Sequence, residues 1–98
     1  MGSRFIDVRV KGDSMWPTLE DGRVVRFERI NDIELLINQI VLCNHPLRND
    51  FLIIKRISSI DDKTAFLVGD NPDPTASEDS HNFGRVEIRN ILAFMAGN

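Results

Sequence analysis

Short runs rich in β-branched and aromatic residues, each closed by a polar turn, constrain this chain more than any other feature. Phe5-Ile6-Asp7-Val8-Arg9-Val10 and Arg23-Val24-Val25-Arg26-Phe27-Glu28 are two such runs, and Glu20-Asp21-Gly22 supplies the turn before the second. Gln39-Ile40-Val41-Leu42-Cys43-Asn44 is a third, stopped by His45-Pro46. Residues 51–60 and 64–68 read as a hairpin around Asp61-Asp62-Lys63, and residues 91–95 as a last strand. Residues 31–38 fit a short helix or a turn, and residues 69–84 are a polar loop of the length that is usually functional or disordered. With 98 residues, one core is all the chain can build, so any active-site parts must share it. The expectation is a single, mainly β domain.

A net charge of −3, with Lys and Arg interleaved with acids, argues against nucleic-acid binding, which needs a basic patch. The single cysteine, Cys43, sits in the apolar run Ile40-Val41-Leu42-Cys43 and reads as a small buried hydrophobe. No window approaches the ~18 consecutive apolar residues of a membrane span, and the N-terminus is too charged for a signal peptide. A soluble, cytoplasmic chain is expected on these grounds. No metal-ligand spacing stands out, so no metal or other cofactor is expected.

Chemistry enters with a lysine in an unusual place. Strand alternation in Phe51-Leu52-Ile53-Ile54-Lys55-Arg56-Ile57 sends Phe51, Ile53, Lys55 and Ile57 to one face. A lysine in such a stripe either snorkels its ammonium to water at a sheet edge or loses solvation. Desolvation disfavours the charged form, and a neutral lysine is a base. Periodicity alone leaves both outcomes open. Ser14, in Gly12-Asp13-Ser14-Met15-Trp16-Pro17-Thr18 on a bend between strands, is a candidate nucleophile for such a base. His45 and His81 are the alternative bases, but His45 precedes a proline in a turn, and charge pairing in an acidic loop explains His81.

These elements together resemble the signal peptidase I superfamily of Ser/Lys serine peptidases. Ser14-Met15-Trp16-Pro17-Thr18 is similar to that family's nucleophile box and Lys55-Arg56 to its base box. Gly69-Asp70-Asn71 with Ser77-Glu78-Asp79-Ser80 is similar to its third box. The resemblance runs from Val10 to Gly84 and implies that residues 1–98 form a single Ser/Lys peptidase domain, a small curved antiparallel β-barrel-like fold of the signal peptidase and SOS-repressor peptidase type. It implies Ser14 as nucleophile, Lys55 as general base, Ser77 as a hydroxyl that holds the lysine amine and Asp79 as a structural carboxylate behind it. Gly12, Met15 and Asp70 are supporting positions. Gly12 stands where some relatives carry an oxyanion-binding serine, leaving the Ser14 N–H and a second donor to be found. His81 stands at the usual arginine position.

An extended substrate strand is expected against residues 8–11 and 50–53, with Val8, Val10, Met15 and Ile53 in contact and small side chains favoured next to the cut. Within the superfamily the local runs Asn44-His45-Pro46, Leu52-Ile53-Ile54-Lys55-Arg56-Ile57 and Gly69-Asp70-Asn71-Pro72 look most like the small soluble branch that matures nickel-type superoxide dismutase. That branch implies a precursor protein as partner, from which an N-terminal propeptide is removed. Three alternatives stay open: the catalytic portion of a membrane-anchored signal peptidase I, a self-cleaving-repressor-like peptidase, and a non-enzymatic peptide-binding β domain. The second is disfavoured by the few residues before Ser14, too few for both a first strand and a cleavable arm.

Overall fold

The computed structural model describes residues 4–30 and 35–96. Seven strands form one antiparallel sheet: β1 (Phe5–Arg9), β2 (Val24–Arg29), β3 (Ile40–Asn44), β4 (Leu52–Ile60), β5 (Thr64–Val68), β6 (Val86–Glu87) and β7 (Ile91–Met95). Their order across the sheet is β1-β2-β7-β3-β4-β5-β6. The sheet curls into a half-barrel.

The curl follows from bulges and from burial on both faces. At the β3–β7 junction the register slips between Leu42 and Cys43, so that Ala93 faces Leu42 and Ile91 faces Cys43. Ile91 therefore joins one core cluster, with Val41, Cys43, Ile53, Ile57 and Leu67, while Ala93 joins the other, with Met15, Leu19, Phe27, Ile40 and Leu42. A second slip between Ile57 and Ser59 bends β4 where it passes from β3 to β5. Alternate residues of β3 feed opposite clusters, which explains why the Ile40-Val41-Leu42-Cys43 run is apolar without interruption. Cys43 is fully buried, and burial pushes its thiol up to about 12, so it packs as a hydrophobe.

The expected hairpin is present, with Asp61 Oδ1 accepting from the Lys63 and Thr64 N–H groups. Two expectations need correction. The loop 69–84 is not structureless: Pro74–Ala76 is a 3₁₀ turn, and Ser80–Phe83 is one helical turn, α1, capped by the Asp79 side chain. The short strand β6, which borders β5, was not anticipated either. Of the ambiguous segment 31–38, residues 31–34 lie outside the described residues, and the remainder turns rather than forming a helix, with Asn38 at φ 77°.

Candidate active site

The bend that carries Ser14 is fixed before any chemistry is considered. Gly12 takes φ +84°, a region that costs a side-chain-bearing residue dearly, and its N–H donates to Asp21 Oδ1 at 2.7 Å. Val10 N–H bonds Arg23 O, and Gly22 N–H bonds Val10 O, both at 2.8 Å, tying the bend to the start of β2. Met15, 1 % exposed, and Leu19 plug the bend into the core, with the Leu19 N–H on Met15 O. The chain from 12 to 19 is thereby held at both ends and in the middle, with Ser14 at its turn.

Lys55 lies on β4 directly opposite Val41 of β3 and is 4 % exposed. It does not snorkel. Its Nζ is 3.0 Å from Ser14 Oγ and 3.2 Å from the Ile54 carbonyl. Burial pushes the amine below the ordinary lysine range, while the Asp79 and Glu78 carboxylates pull it part of the way back. A charged amine at this distance donates to the Ser14 oxygen, and a neutral one can accept its proton.

The Gly69-Asp70-Asn71 segment packs onto the back of this pair. A Cβ on Gly69 would lie 2.6 Å from Ser14 O and 2.7 Å from Ser77 Oγ, so only glycine allows the loop so close. Asp70 accepts a two-pronged bond from Arg56 Nε and Nη2, at 2.8 and 2.7 Å, and a third from Thr18 Oγ1 at 2.6 Å. The hydrogen bond from Arg56 holds the Asp70 carboxyl below its ordinary range, against the effect of burial. Asn71 N–H bonds Ser14 O at 3.0 Å, and Asn71 Nδ2 bonds Asp13 O at 2.8 Å. Each of the three segments singled out in the sequence is thus tied to the other two. The roles of Arg56, Thr18 and Asn71 escaped the sequence reading because their partners lie far along the chain and no local pattern records the contact.

Asp79 is 8 % exposed and accepts from the His81 N–H and Nδ1, both at 2.9 Å, and from Gly69 N–H at 3.3 Å. Burial raises this carboxyl, but these hydrogen bonds outweigh it and hold it below its ordinary value. Asp79 therefore anchors α1 to the Gly69 turn and lends a negative field to Lys55. Ser77 lies in the cleft wall, yet the partners of Lys55 Nζ are Ser14 Oγ and Ile54 O, and no hydrogen bond joins Ser77 to the amine. Ser77, expected to hold the amine, instead lines the cleft wall beside Gly69.

Neither histidine reaches Ser14. His45 is buried against the rings of Phe51 and Phe83; its Nδ1 accepts the Leu47 N–H, and its Nε2 faces Glu78 Oε1 at 2.6 Å. With Nδ1 accepting, Nε2 is the nitrogen that donates to Glu78. His81 is largely exposed and pairs with Asp79.

A cleft of about 550 Å³ opens onto the Ser14–Lys55 pair, lined by residues 8–15 on one side, 50–55 on the other and 76–78 at the end. Val8, Val10, Met15 and Ile53 all line it. Both flanks, from Val8 on one side and Leu52 on the other, run along sheet edges. Among the described residues β1 is at the sheet edge, and β4 pairs with β5 only from Arg56 onward, so that Leu52 to Ile54 have β3 as their one strand partner, with the Ile54 carbonyl also taken by Lys55 Nζ. Among the described residues the Ser14 N–H has no acceptor, no group of His, Cys, Asp and Glu is placed to hold a metal, and no helix is long and apolar enough to cross a membrane. No protein-family model matches the chain, and no curated protein matches it.

Proposed function

We propose that this protein is a Ser/Lys serine endopeptidase, a small half-barrel relative of the signal peptidase I type, that removes an N-terminal propeptide from a precursor protein. The observation that carries this reading is the 3.0 Å approach of a buried lysine amine to the hydroxyl of a serine held on a rigid bend at the floor of an open cleft. A structural lysine would be expected to pair with a carboxylate. This one meets a hydroxyl and a carbonyl, and its nearby acids, Asp79 and Glu78, are occupied by His81, Gly69 and His45.

The reaction runs in two steps. Neutral Lys55 takes the Ser14 Oγ proton as the oxygen attacks the scissile carbonyl, and the resulting ammonium returns that proton to the leaving amine as the C–N bond breaks. Water then enters and gives a proton to Lys55 as it attacks the acyl carbon, and the ammonium returns that proton to Ser14 Oγ as the ester C–O bond breaks, releasing the product acid and restoring the neutral amine. The Ser14 N–H, which has no acceptor among the described residues, donates to the oxyanion in both steps. The substrate lies extended between β1 and the start of β4, where backbone groups are free to pair with it.

The nickel-type superoxide dismutase precursor is the first substrate to try, on the strength of the local runs around Asn44, Lys55 and Gly69. The test is co-expression of that precursor with this protein or its Ser14→Ala form, followed by N-terminal mass determination. Shortening that depends on Ser14 supports the proposal. An intact precursor removes this substrate, and a Ser14→Ala protein that cuts as well as the parent removes the mechanism.

A further inference from the structure

The peptide group joining Asp13 to Ser14 holds the proposed oxyanion donor on one side and the Asp13 carbonyl on the other. The unit is planar and trans, so fixing the carbonyl fixes the direction of the Ser14 N–H. That carbonyl accepts from Asn71 Nδ2 at 2.8 Å and from Trp16 N–H at 3.1 Å. The Asn71 amide is oriented in turn, because its Oδ1 accepts the Asp73 N–H at 2.8 Å and leaves only the NH₂ to face Asp13. The Asn71 backbone N–H separately holds the Ser14 carbonyl at 3.0 Å.

We infer that the Asn71 side chain is the positioning residue for the oxyanion donor, aiming the Ser14 N–H through the shared peptide plane. The inference rests on the Ser/Lys reading above. A hydrogen bond to the carbonyl also polarises the peptide and strengthens its N–H as a donor where negative charge develops. The effect belongs to the transition state, because the neutral carbonyl of a bound substrate gains little from the same donor.

The experiment compares the parent protein, Asn71→Ala, Asn71→Asp and Ser14→Ala on the p-nitrophenyl ester of a short acetylated peptide ending in alanine, and on the matching peptide aldehyde. Asn71→Asp keeps the acceptor for the Asp73 N–H but turns a carboxylate toward the Asp13 carbonyl. For both Asn71 variants kcat should fall by about 10²-fold, the loss typical of a small misplacement of catalytic groups. KM should stay within about twofold, aldehyde affinity should fall in parallel with kcat, and the pH midpoint of kcat, set by Lys55, should not move. Unchanged kcat, or a loss confined to KM, overturns the inference. In the parent protein the Ser14 amide proton should shift downfield when the aldehyde binds; an unmoved resonance overturns the inference even if neither variant folds. Hydrolysis and aldehyde binding that survive in Ser14→Ala overturn the Ser/Lys reading itself, and the inference with it.

Discussion

Lys55 concentrates the physical tension of the molecule, since an amine enclosed in an apolar stripe is either useful or merely costly. Its folded pKa lies below its unfolded value because burial outweighs the pull of Asp79 and Glu78. Between those two values the unfolded chain binds more protons than the folded one. This residue therefore adds stability as pH rises through that window and withholds it again as pH falls to the folded pKa. Lys55→Met keeps the apolar stem and removes the amine, so its urea midpoint at pH 7 should equal or exceed that of the parent and lose this part of the pH dependence. Cleavage should drop by about 10⁴-fold or more, as when one member of a nucleophile–base unit is lost. An active Lys55→Met protein would end the Ser/Lys reading. Ser14 and Lys55 could be picked out from sequence because each breaks a local expectation, one as a serine on a glycine–proline bend and the other as a charge in a stripe. Asn71 breaks none, since an asparagine in a polar loop is ordinary, and only the folded approach of residues 13 and 71 gives it a task.

At the scale of elements, the Gly69 turn locks β4 to the bend that carries Ser14. Gly69→Ala would push a Cβ to 2.6 Å from the Ser14 carbonyl, an oxygen already held by Asn71 N–H and unable to yield without moving Ser14 itself. The expected cost is about 1–3 kcal/mol of overpacking, read from urea midpoints. Cleavage should suffer beyond what the lost folded fraction explains, because the displaced atom belongs to Ser14, the proposed nucleophile; activity that simply tracks the folded fraction would contradict this coupling. Asp70→Asn is a milder probe of the same lock: it removes the charge that pairs with Arg56 and leaves one face of the amide to meet Thr18 as before. A destabilisation of about 1–3 kcal/mol is expected from breaking a charged hydrogen-bonded pair, and a midpoint equal to the parent's would show the lock to be idle. Strand positions were legible because β-branched runs and turn residues are local signals. The ends of loop 69–84 were legible too, but its contents were not. Asp79-Ser80-His81-Asn82 holds a capping box that stabilises a helix only one turn long, too short to show a period. Val86–Glu87, at two residues, has no alternation to read.

The whole molecule is an open half-barrel with backbone to spare at the site, and this openness is what the sequence could not convey. Alternation foretold an antiparallel sheet, but where pairing stops depends on bulges and on how far β5 reaches along β4. Pairing with β5 stops at Arg56, one residue past Lys55, so the outer edge of Leu52 to Ile54 leads straight to Lys55, while the outer edge of β1 leads toward Ser14. A substrate that joins either edge as a strand presents its N–H groups alternately toward and away from that edge. Methylating single backbone nitrogens along a substrate peptide, upstream of the cut, should therefore weaken binding at every second position where the peptide lies against one edge only, and at successive positions where it lies between both. Each sensitive position should lose a hydrogen bond of about 0.5–1.5 kcal/mol, or roughly 2- to 10-fold in affinity. The measurement uses the Ser14→Ala protein, which can bind but not cut, so that affinity is separated from turnover. The side chain next to the cut provides a second axis on the same peptides: with Met15, Leu42 and Val10 buried and close-packed under the cleft, a tryptophan there should bind far more weakly than an alanine. Affinity that methylation leaves unchanged at every position would mean that the cleft grips side chains rather than backbone, and strand addition would have to be abandoned even if Ser14 and Lys55 proved catalytic.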